Sequence, residues 1–131
     1  LKKCPDTTFI GHAMAFWAEI SEDVSEETRG GYPKGPVKAQ GRLQKLLKKY
    51  PNLYADLSAG SGFNAITRDV NYGYKFLREF HHKLLFGTDL CHIGQELPLV
   101  DYFKQIKKDE ILTAEEYENI THKNAERILN L

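Results

Sequence analysis

His12 and Asp89 are the two residues whose type and placement could do chemistry. Each closes an apolar run of strand length. Thr8-Phe9-Ile10-Gly11 leads into His12, and Leu84-Leu85-Phe86-Gly87-Thr88 leads into Asp89. An imidazole at the C-terminal end of a strand can ligate a metal or act as a general acid or base. A carboxylate in the same position can ligate a metal, or accept a proton from a metal-bound water. The plainer readings are a hydrogen-bonded loop histidine and an N-cap or turn aspartate.

Other candidates are weaker. Asp56 and Ser58 alternate along Leu53–Ser58 and point to the same side. Ser58, near the strand end, could reach a substrate; Asp56 reads first as a structural ion-pair partner. Arg68 could meet a substrate carboxylate. Cys91-His92 places two metal-binding types side by side, but without the spacing that zinc sites show. His81-His82 reads as a solvated helix end. Gly60-Ser61-Gly62 lacks a P-loop lysine and the dinucleotide-binding spacing, and reads as a turn.

Regular elements must hold these residues in place. Thr7–Gly11, Leu53–Ser58 and Leu84–Gly87 are expected as strands. Ala13–Ile20 is a loop or short helix, and Ser21–Pro36 a long irregular connection. A helix is expected over Val37–Tyr50, where Leu43, Leu46, Leu47 and Tyr50 share a face and Pro51 ends the run. Further helices are expected over Asp69–Phe80, over Pro98–Lys107, from the capping box Thr113-Ala114-Glu115-Glu116, and over about Asn124–Leu129. Strand–helix alternation implies an α/β fold with parallel strands and right-handed crossovers. Strand ends that present His or Asp suit the mouth of a (β/α) barrel.

A chain of 131 residues can bury one core and is read as a single domain over 1–131. Lys plus Arg (18) equal Asp plus Glu (18), so no basic surface calls for a nucleic-acid partner. No run is long enough to span a membrane, and none reads as a signal peptide. Two cysteines cannot make a disulfide framework, which suggests reduced thiols and a cytoplasmic location. The opening Leu1-Lys2-Lys3-Cys4-Pro5-Asp6 reads as a helix end and turn, as if more chain preceded it.

Four segments, in this order, resemble the amidohydrolase-related metal-dependent hydrolases. This is the amidohydrolase 2 group, which includes the aminocarboxymuconate-semialdehyde decarboxylase type. The segments are Phe9-Ile10-Gly11-His12-Ala13, Pro51 to Ser58, Leu85-Phe86-Gly87-Thr88-Asp89, and Asn124-Ala125-Glu126-Arg127-Ile128-Leu129. The resemblance implies that the chain is the C-terminal portion of a (β/α)8 TIM barrel, supplying strands six to eight as about three parallel strands with crossover helices. By this resemblance His12 and Asp89 are catalytic and metal-site residues, and the last helix is structural. The cofactor it implies is a divalent metal, zinc first and manganese second.

The family's first-strand His-x-His pair and fifth-strand histidine have no counterpart here. A catalytic zinc takes about three protein ligands, so this chain alone is not expected to retain the metal. The function implied is hydrolysis of a small-molecule substrate by metal-activated water, with Ser58 and Arg68 near the substrate. The alternatives are non-oxidative decarboxylation on the same scaffold, or a non-catalytic partial barrel. The partner expected is another copy of the chain or the missing part of the barrel.

Overall fold

The computed structural model describes residues 1–131. Its centre is one sheet of three parallel strands, β1 (Phe9–Gly11), β2 (Leu53–Asp56) and β3 (Leu84–Leu85), with β2 in the middle. Ile10 pairs with Tyr54, Gly11 with Ala55, and Asp56 with Leu85. The register gives the faces. Leu53, Ala55 and Leu57 enter the core, whereas Ile10, Tyr54 and Asp56 lie on the opposite side and keep solvent access.

Helices cover the core side. The short helix α1 (Ala13–Ala18) follows β1, and α2 (Glu26–Arg29) lies within the long connection. The helix α3 (Arg42–Lys49) buries Leu43 and Leu47. It begins later than its periodicity suggests because the preceding residues pair elsewhere. Glu22 N–H donates to Ala39 O, Gly41 N–H donates to Ile20 O, and Ser21 and Gln40 form an antiparallel bridge. Tertiary pairing outweighs local helix preference there.

After β2, helix α4 (Ala59–Thr67) starts at once, so Ala59–Gly62 is a first helical turn and not the expected loop. Burial of Ser61, Ala65 and Ile66 on one face drives this. Helix α5 (Val70–Phe80) follows, with Asp69 capping the N–H of Tyr72. The third strand is shorter than expected because Phe86 N–H leaves the sheet and donates to Ile120 O (2.9 Å). Helix α6 (Pro98–Lys108) buries Leu99, Phe103 and Ile106 on its expected face. The capping box forms at Thr113 and Glu116, opening α7 (Ala114–Glu118). A π-helical segment, Asn119–Lys123, then leads into α8 (Asn124–Leu129). No helix is long and apolar enough to cross a membrane.

Gly73 lies inside α5, where alanine is ordinarily favoured by about 1 kcal/mol. Here a Cβ would run into the backbone carbonyl of Ile66 on α4. Gly73→Ala is therefore expected to reverse the usual sign. Overpacking of about 1–3 kcal/mol would outweigh the propensity gain, read as a lower urea midpoint at unchanged slope.

Asn124 explains the Asn-Ala-Glu-Arg ending. It is fully buried; its Nδ2 donates to His81 O (2.7 Å) and Leu84 O (2.8 Å), and its Oδ1 accepts from Arg127 Nη2 (2.9 Å). The amide ties α8 to the chain entering β3. Asn124→Leu strands both carbonyls and is expected to cost about 1–3 kcal/mol, measurable by chemical denaturation.

Candidate active site

The strand ends meet at Asp56. This residue closes β2 and faces the uncovered side of the sheet, and its carboxylate gathers three donors. Ser58 N–H reaches Oδ1 at 2.9 Å, and the Ser58 hydroxyl reaches Oδ2 at 2.7 Å. His12 Nδ1, from the end of β1, stands 3.1 Å from the same Oδ2. Ser58 Oγ is also 3.4 Å from His12 Nδ1. A carboxylate only accepts, so it selects the tautomer in which Nδ1 carries the proton. Nε2 is then left with its lone pair and makes no hydrogen bond to protein. The histidine side chain is 40% exposed and the aspartate 26%, so the array is open to a ligand.

The backbone of Asp56 is held as well. The indole Nε1 of Trp17, buried in α1, donates to Asp56 O at 2.8 Å. Trp17 packs edge-on against Phe16 and Phe76. The first helix after β1 thus anchors the end of β2, and with it the hydrogen-bond partner of His12.

Asp89 approaches from the third strand. Gly87, two residues earlier, lies against the same cluster: a Cβ there would sit 3.2 Å from Ser58 Cβ and 3.4 Å from Asp56 Oδ1. Glycine therefore lets the end of β3 close on the Asp56–Ser58 pair. Asp89 itself is exposed and its carboxylate makes no hydrogen bond, whereas its carbonyl accepts from Cys91 Sγ (3.3 Å) and Gln95 Nε2 (3.0 Å). All three strand exits use a left-handed residue other than glycine: Ala13 (φ 71°), Ala59 (φ 63°) and Asp89 (φ 53°). Such conformations cost about 1–3 kcal/mol each and gather at functional sites.

The candidates from sequence divide accordingly. His12 and Ser58 share one hydrogen-bonded array, and Asp89 stands two residues beyond its Gly87 flank. Arg68 does not join them. It lies at the far end of α4, about 15 Å along the helix from Ser58, and forms no hydrogen bond or ion pair with His12, Asp56, Ser58 or Asp89. Asp56, read from sequence as structural, proves to be the hub. Its shared side with Ser58 was the available signal; its pairing with a histidine 44 residues away depends on sheet register.

A divalent metal fits these residues poorly. No group of three or more His, Cys, Asp and Glu side chains is gathered to hold an ion. His12 and Asp89 offer two donors at most, against the three protein ligands of a catalytic zinc site. One of the imidazole nitrogens is already committed to Asp56. The adjacent Cys91 and His92 are not drawn in, since Cys91 Sγ turns to Asp89 O and His92 Nδ1 lies by Ile93 O.

No curated protein and no solved structure matches the chain. A family model described as Amidohydrolase matches residues 30–131, a span that includes β2, β3, Ser58, Arg68 and Asp89 but begins after His12. With most of its length matched in this way, the chain belongs to the amidohydrolase family.

Proposed function

We propose that this chain carries acid–base residues of a hydrolase acting on a small molecule with a cleavable amide or related bond. The single observation behind this reading is the Asp56-centred array that fixes His12. Asp56 accepts from Nδ1–H and leaves the Nε2 lone pair free on a side chain that is 40% exposed. In that state His12 can take a proton from an attacking water and return it to the leaving group. The positive charge that forms on the imidazole is offset by Asp56, which the two Ser58 donors hold in place. Asp89, exposed at the neighbouring strand end, supplies a second carboxylate to orient water or substrate. No step is assigned to a metal; the donors such an ion needs beyond His12 and Asp89 would come from outside these residues.

The sheet supports a reading of architecture too. All-parallel sheets are normally covered on both faces, whereas Ile10, Tyr54 and Asp56 here keep solvent access on one. In this proposal the uncovered face lines the inside of a (β/α)8 barrel completed by further strands. Sedimentation tests it: association through that face is weakened by Ile10→Lys, and an unchanged monomer in both proteins counts against it.

The reaction class is tested by supplying carboxamide and ester substrates in H₂¹⁸O. Hydrolysis places one ¹⁸O in the acid product, and His12→Ala suppresses the label. Release of CO₂ with no label in the product would overturn the hydrolase reading in favour of decarboxylation.

A further inference from the structure

The chain that leaves β3 has little to hold it. From Gly87 to Glu96 a single backbone–backbone hydrogen bond forms, Gln95 N–H to His92 O (3.3 Å). Residues 88–94 are all exposed, and Ile93 stands wholly in solvent. Neither packing nor ladder bonds fix this segment. It nevertheless carries Asp89 in a left-handed conformation (φ 53°). A residue other than glycine keeps such a conformation only where its surroundings enforce it.

The side chain of Gln95 supplies that enforcement. Its Oε1 accepts from Cys91 N–H (2.9 Å), and its Nε2 donates to Asp89 O (3.0 Å). The partners settle which end of the amide is which, because a peptide N–H only donates and a carbonyl only accepts. Asp89 O and Cys91 N–H are the two groups that one residue of a neighbouring parallel strand would satisfy. The carboxamide of Gln95 has the donor and acceptor of a peptide unit and takes that place. Cys91 Sγ, a weaker donor, adds to the Asp89 carbonyl at 3.3 Å. Gln95 is half-buried, unlike the residues before it, and α6 begins three residues later at Pro98. The clamp therefore ties the Asp89 peptide to the start of a regular helix.

We infer that Gln95 is the positioning residue of Asp89: its carboxamide holds the Asp89 peptide left-handed and so sets the direction of the carboxylate at the β3 exit. The carboxylate makes no hydrogen bond of its own, so its direction depends on the backbone that bears it. Relaxation of that peptide to the right-handed region would turn the Cα–Cβ bond elsewhere. The catalytic consequence rests on the hydrolase reading; the clamp does not.

Two measurements test it. By nuclear magnetic resonance, the Cys91 amide should exchange slowly in the unsubstituted protein and fast in Gln95→Ala. The scalar couplings of Asp89 should move from left-handed to right-handed values in the same variant. The second measurement is a double-mutant cycle on a carboxamide substrate. Gln95→Ala should lower kcat by up to about 100-fold, the order of loss for an ångström of misplacement, with KM little changed. In an Asp89→Ala background the same substitution should cost little more, because its effect passes through Asp89. Equal Cys91 exchange in both proteins, full kcat in Gln95→Ala, or losses that simply add overturns the assignment. A protein that hydrolyses no substrate, yet loses Cys91 protection and the Asp89 conformation in Gln95→Ala, removes the hydrolase reading and leaves the clamp standing.

Discussion

Trp17→Ala is expected to lower stability by about 3–5 kcal/mol, the range for truncating a large buried aromatic side chain. Trp17 is 2% exposed and touches Phe16 and Phe76 through edge-on ring contacts. Its removal opens a cavity where α1 packs, and it also takes the indole donor from Asp56 O. The two losses can be separated. Trp17→Phe keeps most of the apolar volume and loses the N–H, so it should cost about 1–3 kcal/mol for the unpaired carbonyl together with a smaller packing defect. Trp17 is the only tryptophan, so unfolding is best followed by far-UV circular dichroism in urea. A Trp17→Ala protein with an unchanged midpoint would show that α1 does not pack as described.

Asp56→Asn is expected to reduce kcat/KM by about 10²–10⁴-fold, the range for losing a positioned acid–base group. This corresponds to about 2.7–5.4 kcal/mol in the barrier. The change is nearly isosteric, so its effect is chemical. Oδ2 now accepts from both His12 Nδ1 and the Ser58 hydroxyl, while Oδ1 accepts from Ser58 N–H. An amide has one oxygen. If that oxygen stays with Ser58 N–H, an NH₂ group faces His12 and favours the tautomer with the proton on Nε2, which cannot act as a base. His12→Ala should lose at least as much. The informative comparison is the split of kcat from KM: both variants should lose kcat with KM little changed, with both proteins unfolding near the unsubstituted midpoint. Full activity in Asp56→Asn would remove Asp56 from the mechanism.

Much of this arrangement could be read before the structure. The order of strands and helices follows from apolar runs and their punctuation. Pro98 opens α6, Thr113 and Glu116 close their capping box, and Leu99, Phe103 and Ile106 are buried together. These features depend on residues within a few positions of each other. The departures share a different cause. The start of α3, the helical turn at Ala59–Gly62 and the early end of β3 were decided by partners distant in sequence: the 18–23 segment, helix α1 packed against α4, and Ile120 O. The site shows the same division. His12 and Asp89 stand out because a polar residue follows an apolar run. Asp56 does not stand out, because its importance comes from a register that places β1 beside β2. Arg68 drew notice as a cation after the second strand, but the length of α4 carries it away from the strand ends.

The π-helical segment Asn119–Lys123 sets the angular phase of the chain's last turn and a half. An α-helix advances about 100° per residue, so a π turn amounts to one residue accommodated without unwinding the helix. Ile120 at its start is buried, and Asn124 immediately after it reaches the His81 and Leu84 carbonyls. Deleting a single residue between them would restore the ordinary pitch and leave Asn124 near its present angular phase, because about four α-helical residues turn as far as the five of the π segment. This stretch should therefore tolerate the loss of one residue better than the gain of one, which would carry Asn124 about a quarter turn off those carbonyls. The exposed stretch at 90–94, which has no such angular role, is the place where insertions can accumulate.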